Sequence, residues 1–415
     1  MTTILPRQPL LGSEVEVACA DGIDRRYVNL DYAASTPVMA AVWEAVEAFV
    51  PFYSSVHRGT GAKSRISTEA YEHARDAVCR FVGAPDGTAV LVRNTTEAIN
   101  VLARSLPPGT RVLSTPIEHH ANMLPWRALE LELLPFPATP AQLLEDTERA
   151  LERSRIDLLA VTGASNVTGE VWPLSALADL AHAHGAQLFV DAAQLAPHRA
   201  IDMELIGIDH LALSGHKLYA PFGTGALVSR SPITGEPLIL GGGAIKLVTV
   251  DDVIWADAPD RYEAGSPNVI GAVALGAACE ALDMELVEAK EWAMSARLHA
   301  GLASIDGLEE LALWPGYPDR VGVATFTLRG WRDTDLAQTL SDEFAIGVRH
   351  GCFCAHPLLT RLLGVTDAEA KRLHRELKAG RDPVLPGAVR ASIGLGTTIQ
   401  DVDALVAALR ACQTR

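Results

Sequence analysis

Lysine is scarce in this chain. Only Lys63, Lys217, Lys246, Lys290, Lys371 and Lys378 occur among 415 residues. Basic charge as a whole is short, with 35 Lys and Arg against 51 Asp and Glu for a net charge of −16. That balance argues against a protein that tracks nucleic-acid phosphates or sits on an anionic membrane, although a small basic pocket for an anion stays open. No apolar run reaches about eighteen residues, so no transmembrane helix is expected. The first residues, MTTILPRQPLLGSEVEVACADGIDRR, carry no basic stretch followed by an apolar core. No export signal is therefore expected, and the expected compartment is the cytoplasm. Six cysteines (Cys19, Cys79, Cys279, Cys352, Cys354 and Cys412) are too few for a disulfide scaffold in so long a chain. In a reducing compartment they are buried thiols, ligands or nucleophiles. GxGxxG before a helix and GxxxxGK[ST] are both missing, so dinucleotide and P-loop readings lack their fingerprints.

What is present is an ordinary globular composition, 48% hydrophobic and 21% charged, long enough for two or three domains. Short apolar runs punctuate the middle of the chain: TAVLV (88–92), RVLS (111–114), DLLAVTG (157–163), QLFVD (187–191), DHLALS (209–214) and GALVS (225–229). Helical patterns lie between several of them, such as PLSALADLAHAHG (173–185), which stops at a glycine. Strands alternating with helices predict βαβ units around a mostly parallel sheet, with ligands at the carboxyl ends of the strands. After about residue 275 the pattern changes to a long helical stretch, three apolar runs (VGVATFTL, AIGVRHG, AVRASIG) and a terminal helix, DVDALVAALRAC. This predicts a smaller α+β domain. Residues 365–388 are charged and then Pro/Gly-rich, which reads as a surface helix and loop inserted before the last strand.

The strand ends carry the chemistry. QLFVD places Asp191 at the end of one apolar strand, and LALSGHK places Ser214, His216 and Lys217 at the end of the next. Lys217 is the one lysine that follows a strongly apolar strand, and desolvation there would lower its pKa and make it a usable amine. A Schiff base with pyridoxal phosphate (PLP), its pyridine nitrogen held protonated by Asp191, suits that pair. On spacing alone a solvated loop lysine and an acidic helix cap explain it equally well. VLVRNTTEAIN is a strand, a polar turn and a helix start. Its free amides, with the Thr95 and Thr96 hydroxyls, suit a phosphate, while Asn94 or Thr95 as a simple helix cap is the plainer alternative.

In chain order the motifs NLDYAASTP (29–37), VHRG (56–59), NTTEAIN (94–100), EHHANMLPW (118–126), SNVTGE (165–170), VDAAQ (190–194), SGHK (214–217), RYEAGSPN (261–268), RHGCFCAHP (349–357) and VRAS (389–392) resemble those of the class V aminotransferase family of PLP enzymes. They look most like the group II cysteine desulfurases and selenocysteine lyases. The resemblance implies an α/β protein of PLP-transferase fold type I. Its large domain would hold a mainly parallel seven-stranded sheet, with a smaller α+β domain behind it. The expected division is an N-terminal segment 1–28 packing on the small domain, a PLP-binding domain 29–280, and a small domain 281–415 carrying the cysteine loop. It implies Lys217 as the Schiff-base lysine, Asp191 on the pyridine nitrogen, Gln194 on the ring hydroxyl and His119 stacked on the ring. Thr95, Thr96, Ser214 and His216 would hold the phosphate, with Ser266 reaching the phosphate of a neighbouring subunit. Asn166, Arg349 and Arg390 would bind the substrate, the guanidinium of Arg390 taking its carboxylate. His57 and Arg58 would enter the partner's site across a homodimer. No metal is implied.

Cys354, five positions after Arg349 and before Ala-His-Pro, falls where the family has its nucleophile, in a polar stretch that suits an exposed thiolate. The resemblance implies conversion of L-cysteine to L-alanine, with a persulfide on Cys354 passed to an acceptor, which could be a protein. Another class V reaction in which Cys354 is not the nucleophile (a C–S or Se lyase, an epimerase, an aminotransferase) is the alternative. A non-enzymatic sulfur-transfer scaffold would have no use for Lys217. The chain departs from the family at Cys352, which makes a Cys-x-Cys pair, at His356, where glutamine is usual, and at Asn94, where glycine is common. The connection 358–388 is also longer than usual.

Overall fold

The computed structural model describes residues 9–414, so residues 1–8 of the expected N-terminal segment lie outside the described residues. A seven-stranded sheet is built from β1 (Thr88–Val92), β2 (Arg111–Ser114), β3 (Glu130–Leu133), β4 (Leu158–Thr162), β5 (Gln187–Asp191), β6 (His210–Ser214) and β7 (Gly225–Ser229). Its order is β1-β7-β6-β5-β4-β2-β3. The run from β6 to β3 is parallel, while β7 is antiparallel to both its neighbours. Every residue of β4, β6 and β7 is buried. Helices cover both faces of a parallel sheet, and so these strands read as unbroken apolar runs. The alternating ELEL of β3, half in water at the sheet edge, gives no such signal.

A second sheet holds β8 (Leu308–Leu311), β9 (Val323–Leu328), β10 (Arg349–Gly351) and β11 (Ala388–Ser392) in the antiparallel order β8-β9-β11-β10. Helices Met284–Ala303, Asp333–Phe344 and Ile399–Gln413 share a core with it around Phe326, Leu340 and Leu405. The long helical stretch expected after about residue 275 belongs to two helices, Val269–Ala281 and Met284–Ala303. Leu282 is extended at ψ 112°, and the Asp283 carboxylate caps the second helix by accepting from the Leu286 N–H. The apolar run AIGVRHG also divides. Ile346–Gly347 pairs in parallel with Val28–Asn29, and only Arg349–Gly351 joins the sheet. The N-terminal segment continues between them: Leu30 N–H donates to Gly347 O, and Ser392 N–H donates to Leu30 O. This threading sets Asp31 beside Arg349 and Arg390. Among the described residues no helix is long and apolar enough to cross a membrane.

One glycine decides how the strand ends meet. Gly225 opens β7 and pairs with both Ser214 and Val92. A Cβ there would lie 2.5 Å from the Leu213 carbonyl oxygen and 2.9 Å from Asn94 Cα. Only a bare α-carbon lets the turn after β1 lean onto the end of β6. Gly225→Ala must therefore push the turn away from the sheet, and over-packing of this kind costs roughly 1–3 kcal/mol. Urea unfolding should show a lowered midpoint for this variant, and an unchanged midpoint would contradict the close approach.

Candidate active site

The carboxyl ends of β4, β5 and β6 and the turn after β1 open into one cleft of about 330 Å³. Thr95, Thr96, His119, Asn166, Asp191, Gln194, Ser214, His216, Lys217, Arg349, Cys354 and Arg390 all line it. The structure thus brings together twelve of the residues singled out from the sequence. Ser266, His57 and Arg58 are elsewhere: all three are exposed and line a separate cleft of about 630 Å³. There His57 is held by Glu72 at 2.8 Å.

The floor of the cleft is electrostatically unusual. Lys217 is pulled down to about 8, chiefly by burial and against the pull of Asp191. Asp191, 4% exposed, is raised above the ordinary carboxylate range by the same burial, while the Ala193 N–H donates to its Oδ1 at 3.0 Å. His119 Nδ1 accepts from the Ala121 N–H at 3.0 Å, so in the neutral ring the proton sits on Nε2. Burial, then the nearby Lys217 charge, pushes His119 down to about 3, so the ring is neutral at physiological pH. The segment beneath it is pinned by a buried chain. Thr115 Oγ1 and Asn122 Nδ2 both donate to Glu118 at 2.7 Å, and Trp126 Nε1 donates to Asn122 Oδ1. Burial pushes Glu118 up to about 8. Nothing in the spacing of EHHANMLPW (118–126) marks that network in the sequence.

At the turn after β1, Asn94 caps the helix Thr95–Ser105 through the Glu97 N–H. Thr95 binds Ser214 Oγ twice, through its N–H and its hydroxyl, both at 2.8 Å. The capping alternative and the anion-binding alternative are therefore compatible: Asn94 occupies one amide, and the helix N-terminus still faces the cleft with Thr96 exposed on it.

Another wall of the cleft is built on Arg390, 3% exposed. Its Nη1 donates to the Asn166 carbonyl at 2.8 Å, and its Nη2 reaches Asp31 at 3.4 Å. Burial pulls it down to about 10 against the support of Asp31. Asp31 also pairs with Arg349 at 2.9 Å. Sequence reading gave Asp31 no role, because nothing local ties it to residues more than three hundred positions away.

Cys354 stands at the mouth, exposed, with its neighbour Phe353 buried. Phe353 and Cys354 have φ of 53° and 54°, and the Ala355 N–H closes the turn on Cys352 O at 3.0 Å. Two left-handed residues in a row match a type I′ turn, which usually holds Gly or Asn. Asn166 Nδ2 donates to Phe353 O at 2.7 Å, and the Arg390 guanidinium lies 5.0 Å from the Phe353 ring centre. The Asn166 amide, expected on the substrate, is thus partly committed to the cysteine turn.

Among the described residues, three side chains that line the cleft each carry a buried polar atom with no hydrogen-bond partner: Gln194 Oε1, His216 Nδ1 and Arg390 Nε. Unpaired buried groups of this kind carry a cost unless a ligand meets them. PLP with an amino-acid substrate offers suitable partners. Its ring hydroxyl suits Gln194, its phosphate suits the helix N-terminus with Ser214 and His216, its pyridinium suits Asp191, and the substrate carboxylate suits Arg390. The residues present fit that group.

Comparison with known proteins agrees with this geometry. The aminotransferase class-V family profile matches residues 28–405. A protein of Halalkalibacterium halodurans named probable cysteine desulfurase is 33% identical over 92% of each chain. A cysteine desulfurase of Yersinia pseudotuberculosis is 36% identical, again over 92% of each chain. Among solved structures, the apo cysteine desulfurase of Thermococcus onnurineus superposes with a TM-score of 0.82 at 29% identity, covering 94% of this chain and 95% of that one. The Escherichia coli cysteine desulfurase in its S-sulfonic acid form gives 0.77 at 32% identity, with the same coverage.

The lowered Lys217 value is directly measurable. In cofactor-free protein, acylation of Lys217 followed by mass spectrometry should titrate with a midpoint near 8. A midpoint in the ordinary lysine range, above about 10, would contradict the buried setting described.

Proposed function

Since the chain belongs to the aminotransferase class-V family, we propose that it is a PLP-dependent cysteine desulfurase, converting L-cysteine to L-alanine with a persulfide on Cys354. The observation that carries the reading is the convergence of an exposed thiol, a neutral-leaning lysine and a buried guanidinium on one cleft. The relatives' names support the same activity.

PLP, held by Lys217, Asp191, Gln194, His119, Thr95, Thr96, Ser214 and His216, would supply the electron sink for a carbanion at the substrate α-carbon. The rest is done by side chains of this protein. Arg390, with the Asn166 amide and Arg349 nearby, binds the substrate carboxylate and fixes the direction of Cα–H. Lys217, near 8, is close enough to working pH to take the α-proton on Nζ and return it. His119, kept neutral, packs over the ring without adding a second cation beside Lys217. Cys354 thiolate attacks the substrate γ-sulfur. The new S–S bond forms as the Cβ–S bond breaks, and the carbon skeleton leaves as alanine. In sum, cysteine and the Cys354 thiol become alanine and the Cys354 persulfide, with no external oxidant. A thiol acceptor, small or protein-borne, then takes the outer sulfur.

We also propose a cytoplasmic homodimer. His57, Arg58 and Ser266 gather in one exposed cleft away from Lys217, which suits residues offered to a second copy. A large domain ending near residue 280 and a small domain from 281, with the N-terminal segment on the latter, complete this reading.

The test is product analysis with L-cysteine and a dithiol reductant. Cys354→Ser should lose alanine formation by at least about a hundredfold while keeping the absorbance of bound PLP. Pyruvate as product, or alanine formation indifferent to Cys354, would overturn the reading in favour of another class V reaction.

A further inference from the structure

Two histidines beside Cys354 have no part in the chemistry above. His120 opens the short turn His120–Asn122, and His356 is the first residue of the helix His356–Leu362. Their rings are stacked, with centroids 5.0 Å apart and planes 8° from parallel. His356 Nδ1 lies 3.2 Å from His120 Nε2, and the His356 main-chain N–H reaches the same nitrogen at 3.3 Å. On its other side, the His120 main-chain N–H donates to the Cys354 carbonyl at 2.8 Å. One residue of the His119 segment thus grips the cysteine loop on both sides of Ala355.

The cysteine turn needs such a grip. A left-handed residue that is not glycine is strained, and such a conformation persists only where the surroundings enforce it. Asn166 and the buried Phe353 ring hold the first half of the turn. His120 and His356 are what the structure offers for the second half.

We propose that the His120–His356 pair is a positioning latch, holding the Cys354 thiol over the cleft while His120 Nε2 is unprotonated and releasing the turn when that nitrogen takes a proton. The idea rests on reading Cys354 as the nucleophile, but the latch itself is a statement about the turn. The His356 main-chain N–H needs the lone pair of His120 Nε2, so a proton there removes that contact, and the ring-to-ring contact then survives only if His356 Nδ1 gives up its own proton. The charged and titratable groups facing His120 are His356, Arg127, Cys354 and His119, whose ring centre is 6.3 Å away. Burial first, then His356 and Arg127, holds His120 below the ordinary histidine range. The sign follows: the latch is closed at neutral pH and opens only as acidity passes below that lowered value.

The experiment uses full-length protein loaded with PLP and compares wild type, His356→Ala and His356→Asn between about pH 5 and pH 8. Asn can still offer a side-chain N–H to His120 Nε2, whereas Ala keeps only the main-chain N–H contact. Backbone hydrogen exchange of residues 352–355 and alkylation of Cys354 are read beside kcat and KM for alanine formation. At neutral pH, His356→Ala should exchange about three- to tenfold faster at the turn and lose kcat by a similar factor with KM unchanged, and His356→Asn should recover most of both. The difference between wild type and His356→Ala should shrink as the pH is lowered. Equal exchange and alkylation in all three proteins at every pH would overturn the latch. An exchange difference in proteins that all fail to form alanine would uphold the latch while removing the desulfurase reading.

Discussion

A guanidinium keeps its proton, so an arginine taken out of water must be met by acceptors or carry a large desolvation cost. Arg390 is such a residue, and it stands in register directly opposite Arg349 on the neighbouring strand. Like charges facing each other across a sheet repel. Asp31 answers both, and it can do so because the N-terminal strand threads between Ile346–Gly347 and Ser392. The remaining contacts of Arg390 reach out of its own sheet, to the Asn166 carbonyl after β4 and to the face of Phe353. One side chain thereby ties the second sheet to the main one and braces the cysteine turn.

The same economy of charge governs the cleft floor. Burial pushes Lys217 toward its neutral form and Asp191 toward its protonated one, and each partly restrains the other. A cationic ring set against Asp191 would bring that carboxylate back to its charged state and leave Lys217 freer to act as a base. His119 contributes by staying neutral, since a third cation beside Lys217 and Arg390 would raise the cost of all three. Such paired displacement of titration from ordinary values is what proton-transfer sites display.

Much of this was legible in the sequence, for identifiable reasons. Strands of the main sheet were legible because both their faces are buried, so TAVLV, RVLS, QLFVD and GALVS end where the strands end. Asp191 and Lys217 were legible as candidates from their places at strand ends, but spacing alone left a loop lysine and a helix cap equally open, and the resemblance decided between them. Asn166, Arg390 and Cys354 were visible only through resemblance, since they meet across nearly the whole chain. The break at Asp283, the divided run 345–351 and the edge strand Glu130–Leu133 were not legible, because apolar spacing does not register caps, changes of pairing partner or half-solvated edges. The left-handed turn at Phe353 and Cys354 had no signature either: side chains other than glycine or asparagine do not announce it.

The central claim is that sulfur passes through Cys354. The most direct test is mass spectrometry of the intact and digested protein after exposure to L-cysteine without reductant. One added sulfur atom is expected on the Cys354 peptide, with alanine released in equal amount. Product release with Cys354 unmodified, or the added sulfur lodged on another cysteine, would contradict it.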